Sequence, residues 1–565
     1  MRWVLALLGL LLPATASAGG LFTPDVGTVG IGRGGAWTAR ASDVVGALYY
    51  NPAGLWQVDG WTVAGGLNLH STRRTFQRFG GDGGEGVGTW NVGADGFRIY
   101  EEDANGDVVR DSRDEPYPLT VSSPHLRPIP EIGIAFGLPN PDLTIALGLY
   151  APPAPIQNWD PQGPGRYRLI DQELIQGNFV LSAAIRPVPW LSVGASFQVL
   201  YMELSESFAA SADFLAGDEP INPEDPDWDV TAQFSARSIK PYFNVGVMIM
   251  PLPWLRIGVS FDPPYRFNGK GHATLTGVLG QQSRTLDLIG DGPLHVVGED
   301  TDVTVQAGLP GHLRFGLDIA PIPEVLMFGA DFHIEINRGS GDLFAEDVDM
   351  PLYFDDPDDD LDPEPLVDYL YRVGICPLGA GLGVDCGDEA NGGAGSSLAI
   401  YRGEGGGGRV IVPASYQDTW SVRLGVEARP VPFVGLRAGW LYEPPAIPDD
   451  TMTLTIHDGH KHMIAGGVSI RLGAWKAQAR SLVDLHVTYN HVFYKDRVIA
   501  PGTARKGMLA LDGVPASEVD AGTYTASVNQ LGINMAVHFG AIGQRIKADK
   551  DDADGGDAGE QTDAG

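Results

Sequence analysis

The sequence predicts an all-β protein: a transmembrane antiparallel β-barrel of about 14 strands, with an N-terminal hatch, or plug, inside the lumen. Three observations predict it. Apolar and polar residues alternate over segments of about ten residues, the length of a tilted membrane-crossing strand. Short proline-containing turns join these segments at one end, and long polar stretches join them at the other. An export signal leads the chain, and no later apolar run is long enough for a membrane helix, so a span must be a closed barrel.

Taken in order, the chain begins with Arg2 and the apolar run Val4 to Leu12, then Ala16 and Ala18 in a small-x-small pattern. This reads as a signal peptide, residues 1–18, cleaved after Ala18. Residues 19–58 follow and contain "GIGRGGAWTARASDVVGALYYNPAGLW". Gly30, Gly32 and Gly35 have the G-x-G-x-x-G spacing of a dinucleotide turn. That turn must follow a buried strand. What precedes it, "GGLFTPDVGTV", carries Pro24 and no apolar strand. A small, glycine-rich segment before the first strand instead suits a plug, because glycine lets the backbone approach a wall closely.

The barrel is expected over residues 59–541. A phrase recurs: "RPVPWLSVGASF" from Arg186, "MPLPWLRIGVSF" from Met250, "APIPEVLMFGADF" from Ala320 and "RPVPFVGLRAGW" from Arg429. Each Pro-x-Pro marks a tight turn, since proline cannot donate to a ladder. "GLPNPD" at 137–142 and "GAWKAQ" at 473–478 complete six short turns. The flanking segments have period two. Leu255, Ile257, Val259 and Phe261 oppose Arg256, Gly258, Ser260 and Asp262. Leu313, Phe315 and Leu317 oppose His312, Arg314 and Asp318. Leu424 and Val426 oppose Arg423 and Glu427, and Ile533 and Met535 oppose Asn534. Strands are predicted near 59–70, 130–137, 142–151, 173–186, 190–205, 231–250, 254–266, 302–320, 324–337, 418–429, 433–443, 460–472, 480–494 and 524–540. The stretch from Asn268 to Thr304 is ambiguous. Residues 542–565 are acidic and of low complexity and read as a disordered periplasmic tail.

The net charge of −33 argues against nucleic acid as a partner, because phosphate binding needs a basic face. No pattern calls for a cofactor. Cys376 and Cys386, in one Gly-rich loop of an exported chain, are expected to form a disulfide. "HDGHKH" offers His457, His460 and His462 in what reads as an exposed solvated loop. "DDPDDDLDPEP", Asp355 to Pro365, lacks the spacing of an EF-hand and reads as a solvated acidic loop. No metal site is assigned to either.

"GRGGAWTARASDVVGALYYNPAGL", Gly32 to Leu55, resembles the N-terminal hatch of the FadL family of outer-membrane transporters, with its Asn-Pro-Ala element at Asn51, Pro52 and Ala53. "LPGHLRFGLDI", from Leu309, is similar to a late-barrel strand of that family. The resemblance implies a place in the outer membrane of a Gram-negative bacterium, among lipid and lipopolysaccharide. It implies passage of hydrophobic compounds, long-chain fatty acids above all. Cargo would be captured among the outer loops, pass to a site inside the barrel, and leave sideways where one strand kinks inward. Phe22 is by position the N-terminal aromatic of that inner site, and Gly35, Asn51, Pro52 and Ala53 are the gating residues. A monomer is expected.

With the apolar face toward lipid, Arg256, Arg314, Arg423 and Arg437 point into the lumen. So do His312, Asp318, Asp331, His333, Glu335, Glu427, Asp484, His486 and His538. Unpaired charge there is costly, so these residues are expected to pair with one another or with Arg33 and Arg40 of the plug. No nucleophile arrangement emerges, and the protein is not read as an enzyme. The rival readings are a non-transporting surface receptor or adhesin barrel and, further off, an outer-membrane lipase.

Overall fold

The computed structural model describes residues 26–58, 60–79, 119–122, 126–139, 142–211, 226–279, 301–337, 415–473, 481–500 and 519–539, with short strand pieces between them. The expected signal peptide, Phe22, the Asp355 to Pro365 loop, Cys376, Cys386, the 474–478 part of the sixth turn and the tail lie outside the described residues.

Fourteen antiparallel strands form the wall. They are β1 (Gly60–Arg78), β2 (Leu126–Pro139), β3 (Asp142–Tyr150), β4 (Asp171–Val188), β5 (Leu191–Ser211) and β6 (Asp229–Leu252). β7 comprises Leu255–Asp262 and Tyr265–Leu279, and β8 comprises Thr301–Leu309 and Gly311–Ile322. The rest are β9 (Leu326–Ile336), β10 (Thr419–Val431), β11 (Val434–Glu443), β12 (Lys461–Leu472), β13 (Ser481–Tyr494) and β14 (Gly522–Phe539). The ring closes where β1 pairs with β14 from Trp61↔Phe539 to Arg78↔Gly522.

The predicted turns fall where the prolines put them. β4 passes to β5 at Val188↔Leu191, β6 to β7 at Leu252↔Leu255 and β10 to β11 at Val431↔Val434. In each the second proline takes the first turn position, where its fixed φ is already correct. Trp190, Trp254 and Phe433 follow it and stay exposed at this rim. They suit an aromatic girdle at a membrane boundary. The predicted facing also holds: Ile257, Phe315, Leu424 and Ile533 are exposed, while Arg314, Asp318, Arg423 and Asn534 are buried.

The ambiguous stretch resolves as a continuation. β7 bends at Pro263 and Pro264, which cannot donate to a ladder, and then runs on to Leu279 against β8. The seventh strand is thus longer than the 254–266 expected from its apolar alternation. Beyond the bend its outward residues are polar, Arg266, Asn268 and Lys270, so the membrane pattern had ended there.

Within the ring lies the N-terminal segment. It carries two short helices, α1 (Thr28–Ile31) and α2 (Val44–Tyr49), and a 3-10 turn, Pro52–Gln57. Asp43 caps α2 by accepting from the Gly46 N–H at 2.7 Å. Asn51 caps the 3-10 turn by accepting from the Ala53 N–H at 3.0 Å. Val29, Trp37, Val44, Leu48, Tyr50 and Leu55 pack with Ala135, Ala146, Tyr150 and Val180 of the wall.

Candidate functional site

The segment is held by wall carboxylates that the strand alternation aims inward. Asp318 takes Arg33 at 2.8 Å and Arg40 at 3.2 Å. Asp331 accepts from the backbone N–H groups of Trp37 at 3.0 Å and Thr38 at 2.7 Å. Glu131 accepts from the Thr28 hydroxyl at 2.8 Å and from the amides of Asn68 at 3.0 Å and Asn534 at 2.7 Å. Buried carboxylates are tolerated because each meets a cation or several donors. The expected pairing of Arg33 and Arg40 with the wall is therefore present. Glu131 was not among the residues singled out, although it alternates with Ile132 and Ile134 in "PEIGIAFG" as the others do.

Close approach needs wall glycines. A Cβ on Gly258 would come within 2.7 Å of the Ala39 Cα, and one on Gly194 within 2.5 Å of the Ala53 N. On the far side, a Cβ on Gly425 would meet the Arg33 O at 2.5 Å and one on Gly439 the same atom at 2.6 Å. Gly35 itself sits at φ 75°, in the left-handed region that glycine enters freely. Asn51 is fully buried, and its amide donates to the Thr38 O at 2.9 Å and the Val247 O at 3.2 Å. Pro52 and Ala53 are buried beside it, and the Ala53 O accepts from the Ser192 hydroxyl at 2.8 Å.

The four lumen arginines do not converge on one point. Arg314 pairs with Asp262 and lies 5.0 Å from the Tyr49 ring. Arg256 donates to Gln57 at 2.5 Å. Arg423 donates to Ser421 at 3.2 Å and lies in register with Asp331. Arg437 stands 3.5 Å from Glu427. They tie wall to wall and wall to segment.

Below the segment, at the short-turn end, lies a cavity of about 420 Å³. Its lining is charged: Arg40, Asp43, Arg256, Arg437, Asp484 and His486 among others. Burial raises the Asp43 carboxyl, against the Gly46 N–H and the Trp37 indole that favour its charge. Above the segment the lumen turns apolar. The β11–β12 connection sinks inward, burying "TMTLTI", Thr451 to Ile456. Met452, Leu454 and Ile456 pack with Phe76, Trp159, Leu169 and Tyr524. The "HDGHKH" stretch is thus not a solvated loop. Asp458 is buried, accepting from the Ala446 N–H at 2.6 Å and paired with Lys461 at 3.2 Å, and His457 is half-buried against Tyr524. The apolar run before the histidines pulls residues 451–458 into the lumen, while His460 is half-buried against Tyr442 and His462 lies on β12 with its side chain exposed.

The wall is interrupted at the third strand. β2 and β3 pair only from Pro139↔Asp142 to Ile132↔Leu149. Beyond Tyr150 comes "APPAP", residues 151–155, with three prolines that cannot donate to a ladder. Pro153, Ala154 and Pro155 are buried. Arg127 of β2 reaches past them to β4, donating to the Leu174 O at 3.1 Å and to Glu173 at 2.9 Å. Leu174 also lines a small apolar pocket with Leu204, Phe267 and Ile456. The pocket and the interruption thus share a residue.

The sequence matches the family model described as outer membrane protein transport protein (OMPP1/FadL/TodX) over residues 9–317, more than half of the chain. No curated protein matches it. Among solved structures, a Pseudomonas aeruginosa FadL homologue superposes with TM-score 0.61 at 14% identity, covering 92% of this chain and 100% of that one. The P. putida toluene transporter TodX gives TM-score 0.51 at 14% identity, covering 93% and 99%. The CymD monoaromatic hydrocarbon channel gives 0.52 at 14%, covering 91% and 98%. At such identity the likeness shows the fold, a closed barrel of this architecture. The family match over most of the first eight strands, on a barrel of fourteen, makes this chain a member of the OMPP1/FadL/TodX family of outer-membrane transport proteins.

Proposed function

We propose that this barrel carries small hydrophobic compounds across the outer membrane and releases them sideways through its wall. One observation carries the reading: the ladder fails at residues 151–155, beside an apolar pocket, while the axial route leads into a charged vestibule. An apolar molecule gains about 25 cal/mol for each Å² it keeps from water. It gains this in the pocket and in lipid and loses it in the vestibule. The interruption joins the two favourable places.

In this reading residues 26–58 are a hatch. They close the axial route to ions and polar solutes and are gated at Gly35, Asn51, Pro52 and Ala53. The cargo class is hydrophobic. Resemblance to FadL suggests long-chain fatty acids, and likeness to TodX and CymD suggests monoaromatic hydrocarbons.

The test is uptake by cells that differ only in this protein. At least one labelled hydrophobic compound, from a panel that includes a fatty acid and an aromatic hydrocarbon, should accumulate several-fold faster with it, and a hydrophilic dye should enter no faster. Equal uptake of every hydrophobic compound in the two strains would refute the proposal.

A further inference from the structure

The pocket beside the interruption has a polarity of its own. Its lining from the wall is Leu174, Met202, Leu204, Phe267 and Leu309, and Ile456 of the sunken connection closes it. Into this apolar surround projects Glu206, 96% buried by its 4% exposure. No lysine, arginine or histidine lines the pocket, and among the described residues no cation pairs with Glu206.

The hydrogen bonds around Glu206 run in one direction. The Trp159 indole donates to Gln157 at 3.2 Å, Gln157 donates to Gln172 at 2.8 Å, and Gln172 donates to Glu206 Oε1 at 2.6 Å. The Gln172 amide also serves the Thr455 O at 3.3 Å. Thr455 spends its own hydroxyl on the Arg168 O at 3.2 Å. Both amide protons of Gln172 are therefore committed, and among the described residues Glu206 Oε2 meets no donor. The remaining polar group of the lining is Tyr416.

We infer that this pocket selects uncharged hydrophobic molecules carrying a hydroxyl, of the phenol or alcohol class, and discriminates against carboxylates. The inference rests on the transport reading above and names its cargo more closely. A hydroxyl can donate to Glu206 Oε2 and accept from Tyr416. A carboxylate brings a second acid into a buried space with no cation to balance it, which disfavours charge on either group. A site built to receive a hydroxyl also discriminates against the analogue that lacks one, because its own polar group is left unpaired. The space is now about 30 Å³, enough for water. A phenol is larger than this space, so its entry requires Thr455 and Ile456 to give way.

The test uses the purified full-length protein in detergent and three matched probes: 4-ethylphenol, ethylbenzene and 4-ethylbenzoate at neutral pH. Equilibrium dialysis should show the phenol bound at least ten-fold tighter than the benzoate and several-fold tighter than ethylbenzene. Glu206→Leu should bring phenol and ethylbenzene to parity while ethylbenzene still binds. Glu206→Gln, which keeps the size and supplies a donor, should narrow the gap between phenol and benzoate. Retained heat-modifiable migration confirms that each variant is folded. Equal binding of benzoate and phenol, or a phenol preference that survives Glu206→Leu, overturns the inference. If cells still take up ethylbenzene faster with the protein, that failure leaves transport standing. If no hydrophobic probe enters faster, the transport reading itself falls.

Discussion

Asp318 is the residue on which the inner segment most depends, because it balances two buried guanidinium groups, Arg33 and Arg40. Asp318→Ala leaves both unbalanced and should weaken docking of the segment by about 3 to 5 kcal/mol. A cysteine placed at Ser42 should then react with a thiol reagent far faster than in the parent, while the barrel keeps its heat-modifiable migration. An unchanged labelling rate would show that the ion pairs hold nothing. Asn51→Ala removes the donor to Thr38 and Val247 and should cost about 1 to 3 kcal/mol, seen in the same assay as a smaller effect. At this scale the sequence was informative about direction and silent about partners. Period two aims Asp318 and Arg314 inward from "HLRFGLDI" alone. That Arg33 meets Asp318 rather than Asp331 depends on where the ring closes, which no local pattern encodes.

Among the elements, the recurring turn phrase carries more than a turn. Gly194, Gly258, Gly329 and Gly439 all lie in it, and each faces the inner segment at a distance no side chain could share. Their recurrence on the lumen side of otherwise large residues was a readable sign that something packs there. Gly258→Val should displace the backbone at Thr38 and Ala39 and raise entry of a small hydrophilic dye several-fold, with barrel assembly unchanged. A dye rate equal to the parent would show that the wall has room to spare. The β11–β12 connection was misread because its histidines are hydrophilic. What decides its place is the apolar set Met452, Leu454 and Ile456, which alternates with Thr451, Thr453 and Thr455 at the period of a strand yet forms none. Its buried Asp458 is pushed up to about 7 by desolvation, with Lys461 and the Ala446 and Gly459 N–H groups opposing. A carboxyl raised by docking favours the docked loop most below about pH 4, its ordinary range, and that advantage is lost as pH climbs through about 7. Hydrogen exchange across residues 446–458 should therefore quicken between pH 5 and pH 8, after correction for the intrinsic rate. Asp458→Asn should flatten that dependence.

As a whole, the molecule is a lipid-facing cylinder closed along its axis and interrupted in its side. The cylinder was legible, since fourteen alternating segments, short proline turns and long opposite loops leave few other folds. The interruption was present as three prolines in "APPAP", yet a strand that ends and a strand that bends inward read alike. The return of Ile156–Asn158 to pair with Asp171–Glu173 of β4, and Arg127 reaching past the prolines to Leu174 and Glu173, distinguish the two. Deleting residues 26–58 should leave assembly intact, because the strands lie outside it, and should turn a poorly conducting barrel into an open pore in planar bilayers. Sideways release is tested most directly by bridging the interruption. With cysteines at Arg127 and Glu173, a short bifunctional thiol reagent ties β2 to β4 across residues 151–155. The account predicts that bridging lowers the uptake of a labelled hydrophobic compound several-fold, while a monofunctional reagent at the same cysteines does not. Undiminished uptake through a fully bridged barrel would contradict it.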